Sequence, residues 1–251
     1  MDASESIDRY AGSLTGVAAL VTGAGTGIGR ACAIALARAG ADVALLGRRT
    51  TPLQTTAEAV RAVGRRSTVL PCDVRDPAAV EAAVAGAAGD LGPVAIAVAN
   101  AGTNAWADLE DLDPEMLHDA LSTNVEGVAN VARAVVPGMR ERGAGRLIVV
   151  ASDNGRRAEA GGSGYVASKF AAVGLALSLS QELVSAGVAV HVIEPGCVDT
   201  EWYPTDEEAP RERMLRADDV ALVALFLATL PPHVVLDEVL MLPRGLLVHP
   251  W

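Results

Sequence analysis

The chain has 251 residues, 51% of them apolar and 3% aromatic, with a formal net charge of −11. That length suits a single α/β domain spanning residues 1–251 with a substantial buried core. The acidic balance opposes phosphate backbones and anionic lipid surfaces, which are recruited by basic patches, so nucleic-acid and membrane partners are excluded.

In chain order, the opening "MDASESIDRY" is an acidic, polar arm unlike a signal peptide. Apolar β-type runs then alternate with alanine-rich helical stretches: "VAALVTG", "DVALLG", "STVLPCDV", "VAIAVANAG", "RLIVVAS", "VAVHVIEPG" and "EVLMLP" are seven candidate strands. Several are apolar on consecutive positions, as strands covered on both faces are, and the stretches between them are long enough for helical crossovers. A doubly wound parallel sheet is expected. One long helix is predicted from about 114 to 142 and another from 163 onward. Residues 197–216, "CVDTEWYPTDEEAPRERMLR", with two prolines and dense charge, read as a surface loop or lid before a helix starting near Asp218. The run "VALVALFLATL" stops at eleven residues, short of the ~20 that a bilayer span needs. Cys32, Cys72 and Cys197, odd in number and far apart, read as reduced thiols, so a cytoplasmic protein is expected.

Two stretches carry chemistry. In "VAALVTGAGTGIGRACAIALARAG" a strand leads through Gly23, Gly27 and Gly29 into an amphipathic helix. Glycines permit the tight turn, let main-chain N–H groups approach a pyrophosphate and bring the helix N-terminus to face the anion. In "SGYVASKFAAV", Lys169 is the only lysine of a chain whose other cations are nineteen arginines, and it follows Tyr165 by four residues. On a helix that spacing puts phenol and ammonium on one face, where a positive neighbour favours phenolate and lowers the phenol pKa. The pair is a candidate acid/base. Four scattered histidines lack metal-ligand spacing, and no metal site is expected.

With "TGAGTGIG" at 22–29, "CDV" at 72–74, "NAG" at 100–102, Asn124 in "STNVEG", Ser152 in "VVASDNG", the Tyr165/Lys169 pair and "PGCVDT" at 195–200, the chain resembles a short-chain dehydrogenase/reductase of the ~250-residue type. The resemblance implies a Rossmann-type fold and carbonyl–alcohol interconversion with a nicotinamide cofactor. Tyr165 would be the acid/base. Lys169 would also bind the nicotinamide ribose, Ser152 would hydrogen-bond the substrate oxygen, and Asn124 would hold a water linking Lys169 to solvent. Cofactor contacts would come from Gly23, Thr26, Gly27, Ile28 and Gly29 in the glycine turn, and from Asp73 and Val74 at the adenine. Further contacts would come from Asn100, Ala101 and Gly102 after the fourth strand, and from Pro195, Gly196, Val198 and Thr200 after the sixth.

Gly47 stands where an NAD-specific site usually places a carboxylate, and Arg48 and Arg49 follow directly, so NADP is the expected cofactor, its 2′-phosphate met by guanidinium. The polar, basic "DNGRRAEAGG" after Ser152 argues against an acyl chain, and the C-terminal "ADDVALVALFLATLPPHVVLDEVLMLP" resembles family members that reduce small polar carbonyls or oxidise hydroxy acids, so a small polar substrate is expected. A 3-oxoacyl-type reductase and a catalytically silent dinucleotide sensor are the alternatives. Trp202 and Tyr203 either cover a substrate or pack their loop locally. The helices around 114–142 and 165–185 resemble those that pair subunits in this family, so a homotetramer is expected.

Overall fold

The computed structural model describes residues 3–203 and 211–244. Its centre is a seven-stranded sheet built from β1 (Ala18–Thr22), β2 (Asp42–Gly47), β3 (Ser67–Pro71), β4 (Val94–Ala99), β5 (Gly145–Val150), β6 (Val188–Pro195) and β9 (Glu238–Met241). The order is β3-β2-β1-β4-β5-β6-β9, and every pairing is parallel. This is the expected doubly wound Rossmann-type sheet.

Both faces are covered, which is why the strands are apolar throughout. Ala19 and Val21 of β1 face one core layer and Leu20 the other; Ile148 and Val150 of β5 alternate with Leu147 and Val149 in the same way. The helices α2 (Gly27–Arg38), α3 (Thr50–Ala62) and α8 (Ala217–Ala228) lie on the first face. On the second lie α4 (Pro77–Leu91), α6 (Gly127–Arg142) and α7 (Ser163–Leu183). The N-terminal arm is less free than its polarity suggests: α1 (Ala3–Ile7) packs on α8 with Ile7 buried, and Arg38 pairs with Asp8 at 2.6 Å.

The predicted helix over 114–142 is not continuous. After α5 (Pro114–Leu121) the chain makes a π-turn at Ser122–Glu126 before α6 begins. A π-turn inserts a residue into the helical ladder, and such turns gather at functional sites. The segment 197–216 also differs from expectation. Its base is a two-stranded parallel ladder of β7 (Val198–Asp199) and β8 (Leu215–Arg216); residues 204–210, the rest of the expected lid, lie outside the described residues. The strand order reverses between β1 and β4, so the crevice at the carboxyl ends of these strands is where this architecture binds ligands.

Candidate active site

The glycine turn is shaped by what it lacks. Gly23 (φ 65°) and Gly27 (φ 50°) are left-handed. A Cβ on Gly29 would stand 2.3 Å from the carbonyl oxygen of Gly23 and 2.5 Å from Nδ2 of Asn100. Thr26 is the extended N-cap of α2, and Ile28 lies in its first turn. Thr22, a residue the sequence reading passes over although it opens the glycine motif, joins the two central strand ends. Its Oγ1 accepts from the N–H groups of Asn100 and Ala101, both at 2.9 Å, and its carbonyl accepts from Asn100 Nδ2. The first amide of α2 already faces an anion: the Gly27 N–H donates to Oε2 of Glu201 at 3.1 Å, and Thr200 lies against the same glycine. A side-chain-free cradle whose open amide attracts a carboxylate fits the diphosphate of a dinucleotide.

At the far end of the crevice Arg48 and Arg49 are exposed after β2. Asp73 is held by Arg75 through Nη2–Oδ2 (2.7 Å) and Nε–Oδ1 (3.1 Å). These hydrogen bonds, with the charges of Arg75 and Arg48, keep its carboxyl below the usual range. Val74 is buried against Gly127, and its carbonyl accepts from Asn130. Arg75 and Asn130 were not legible as site residues, because both act through contacts between segments distant in sequence.

The catalytic candidates converge at the ends of β4 and β5. Tyr165 and Lys169 share α7, and the Tyr165 N–H donates to the Ala105 carbonyl. Ser152, just past β5, donates to Oδ1 of Asp153 (3.3 Å) and accepts from the Asn154 N–H. Nζ of Lys169 lies 5.6 Å from the Tyr165 ring centroid and donates to the Val150 carbonyl at 3.5 Å. Gly102 sits beside it: a Cβ there would stand 3.7 Å from Nζ and 3.2 Å from Oδ1 of Asn124. Asn124, inside the π-turn, accepts from the Thr103 N–H and donates to the Thr103 carbonyl and to Ser168 Oγ. Its carboxamide braces the end of β4 against α7.

One electrostatic expectation is corrected. Tyr165 is not lowered by its cationic neighbour: burial pushes its phenol up to about 12, contact with Ser152 opposing and Asp153 and Cys197 adding. Burial likewise pulls Lys169 down to about 8. Desolvation disfavours both ions, and at this separation it outweighs their attraction. Tyr165 is therefore a proton donor at neutral pH.

After β6, the Gly196 N–H donates to Met241, tying Pro195 and Gly196 to β9, and Val198 is buried in the small ladder. The basic segment after Ser152 does not turn its first arginine to the crevice. Arg156 pairs with the fully buried Glu194 at 2.5 Å and with Glu238, while Asp153 acts on the Tyr165 phenol. Trp106, from the loop after β4, and Trp202 both stand beside the Tyr165 ring.

A glycine betaine reductase of Emericella nidulans is 36% identical over 93% of this chain, which spans only 19% of that larger protein. A gluconate 5-dehydrogenase of Gluconobacter oxydans is 33% identical, covering 94% of this chain and 96% of its own. The solved alcohol dehydrogenase of Thermococcus sibiricus, complexed with 5-hydroxy-NADP, superposes with a TM-score of 0.85 at 31% identity, over 94% of this chain and 99% of that one. With the short chain dehydrogenase family model matching residues 17–210, this chain belongs to the short-chain dehydrogenase family of oxidoreductases.

Proposed function

We propose that the chain is a cytoplasmic, NADP(H)-dependent oxidoreductase that interconverts a carbonyl and a secondary alcohol on a small polar substrate, working as one domain within a homotetramer. The observation that carries this reading is the convergence of Ser152, Tyr165 and Lys169 beside the glycine cradle. When bound, the nicotinamide supplies hydride to the carbonyl carbon, or takes it back in the reverse direction. Tyr165 gives its phenolic proton to the carbonyl oxygen. Ser152 Oγ donates a hydrogen bond to that oxygen as negative charge grows on it. Lys169 holds the ribose hydroxyls and restores the proton of Tyr165, and the π-turn at Asn124 seats the water through which that proton arrives.

Gly23, Gly27, Gly29 and the first turn of α2 hold the diphosphate, displacing Glu201. Arg48, aided by Arg49, takes the 2′-phosphate, because both are exposed directly after β2 and Gly47 offers no carboxylate to repel it. The NADP analogue in the Thermococcus relative supports this cofactor. A small polar substrate accords with the relatives named for gluconate and glycine betaine, and the Asp153 carboxyl beside Tyr165 disfavours a long acyl chain.

The test is oxidation of NADPH against a panel of carbonyl compounds. Tyr165→Phe should lower kcat by ~10² or more, while NADPH binding, read by fluorescence, stays within about twofold because only the proton-transferring oxygen is gone. A variant keeping a large share of its turnover would overturn the assignment. Leu121 and Phe170 stay exposed on α5 and α7, which supports a subunit interface there; a monomer mass by light scattering at micromolar concentration would remove it.

A further inference from the structure

The chain holds only three tryptophans, three tyrosines and two phenylalanines. Four of those eight rings gather at one place. The Trp106 ring centroid lies 5.9 Å from that of Tyr165 at a tilt of 47°, and that of Trp202 lies 6.1 Å away at 54°. The Tyr203 phenol is close enough to feel the charges of Tyr165, Asp153 and Cys197. The four rings come from three separate segments, so local packing of one loop does not account for them. Trp106 is seated on a pair of glycines: a Cβ on Gly162 would stand 3.0 Å from its Cη2, and one on Gly161 3.3 Å from its Nε1. Yet Trp106 and Trp202 remain 39% and 46% exposed, so their surface is presented rather than buried.

Charge at this opening is mainly negative. Asp153 stands between Ser152 and Gly196, its Oδ2 within 3.5 Å of where a Gly196 Cβ would be, and it acts on both phenols. Asp108 lies beside Gly161, as Trp106 does, and Glu159 accepts from Asn154. Of the nearby cations, Lys169 is buried 5.6 Å from the Tyr165 ring centroid with its Nζ donating to the Val150 carbonyl, Arg156 is drawn away to Glu194 and Glu238, and Arg157 offsets part of the charge of Asp153. An aliphatic or acyl substrate would need neither the carboxylate nor ring faces. A quaternary ammonium has no N–H, and it is held by the negative faces of aromatic rings backed by a carboxylate.

Building on the oxidoreductase reading above, we infer that the substrate carries a quaternary ammonium group a short distance from its carbonyl, held by Trp106 and Trp202 with Asp153 as counter-charge. The reaction is then reduction of a trimethylammonium ketone to its secondary alcohol, or the reverse. Hydride from the nicotinamide dinucleotide adds to the carbonyl carbon, the Tyr165 proton goes to the oxygen, and the dinucleotide is oxidised by two electrons.

The experiment compares two methyl ketones of one shape, trimethylammonio-acetone and its neutral tert-butyl isostere, with NADPH and the full chain. The cation should have a kcat/KM at least about tenfold higher. That ratio should fall towards one in Trp106→Leu and in Asp153→Asn, whatever happens to the absolute rates, while Trp106→Phe should keep part of it. A neutral isostere turned over as well as the cation overturns the inference and leaves the oxidoreductase reading standing. A readout without turnover separates the two: quenching of tryptophan fluorescence by the trimethylammonium alcohol against its tert-butyl counterpart. Selective quenching without turnover of any carbonyl retains the cation site and removes the oxidoreductase reading. Equal or absent quenching by both alcohols, with no preference in turnover, overturns the inference.

Discussion

Along the carboxyl edge of the sheet, the turn after β1 and the segments after β5 and β6 handle polar groups in opposite ways. Around Gly23, Gly27 and Gly29 the working atoms are main-chain amides, held by Thr22 and Asn100 at ordinary hydrogen-bond distances. Their geometry depends on side chains that are missing. Around Ser152 and Tyr165 the working atoms are ionisable side chains taken out of water: Lys169 is 6% exposed, Tyr165 is shifted up and Asp153 is raised by burial. The first region is satisfied before any ligand arrives. The second holds groups whose charged forms are costly until a substrate or cofactor meets them, which is how acid–base sites reach useful proton affinities.

The sharpest way to break this contrast is a pair of glycine substitutions. Gly29→Ala puts a methyl 2.3 Å from a carbonyl oxygen that cannot move aside, so it should abolish cofactor binding and destabilise the fold by about 3 kcal/mol. Gly174→Ala, in α7 with nothing within 4 Å of the new Cβ, should stabilise it by about 0.5–1 kcal/mol. Denaturant unfolding of both variants checks this; similar values would mean that the turn is not held by close approach.

Next in size is Lys169→Met. The ammonium has its pKa lowered from 10.5 to about 8, so the folded protein binds that proton more weakly than the unfolded chain does. The resulting penalty is complete below about pH 8 and disappears as pH rises through the unfolded value. The variant should lose activity by ~10² or more and yet gain up to about 3 kcal/mol at pH 7, the gain vanishing above about pH 10. Thermal unfolding across pH reads it, and a destabilised variant at pH 7 would show that Lys169 is well satisfied. In the unmodified protein, carbonyl reduction should decline as pH rises past about 8 because Lys169, not Tyr165, loses its proton first.

The cofactor side should respond more gently. Arg48→Ala is expected to raise KM for NADPH by about tenfold, the loss of one charge-assisted phosphate contact, with KM for NADH changed by less than about twofold. Equal losses with both cofactors would mean that Arg48 does not read the 2′-phosphate. The smallest effect is expected from Glu201→Gln, which weakens the carboxylate that faces the Gly27 amide. NADPH should bind about two- to fivefold tighter, as removal of a competing charge at a helix N-terminus predicts. Unchanged or weaker binding, read by fluorescence titration, would place Glu201 outside the diphosphate position.

What the sequence alone determined is what depends on local order. The seven strands, the glycine turn, the helix carrying Tyr165 and Lys169, and Ser152 at a strand end were all legible, because alternation of apolar runs, the backbone demands of glycine and the helical repeat are written in neighbouring residues. Only the tertiary structure decided the rest. It turned Arg156 inwards to Glu194, set Glu201 against the first amide of α2, broke the helix at Asn124 and brought Trp106, Trp202 and Tyr203 to Tyr165. It also reversed the expected shift of Tyr165, since spacing reports that a lysine is near but not how much water both groups lose. Each of these results depends on burial or on contacts between segments far apart in the chain, and desolvation is a property of the folded surroundings that no local pattern encodes.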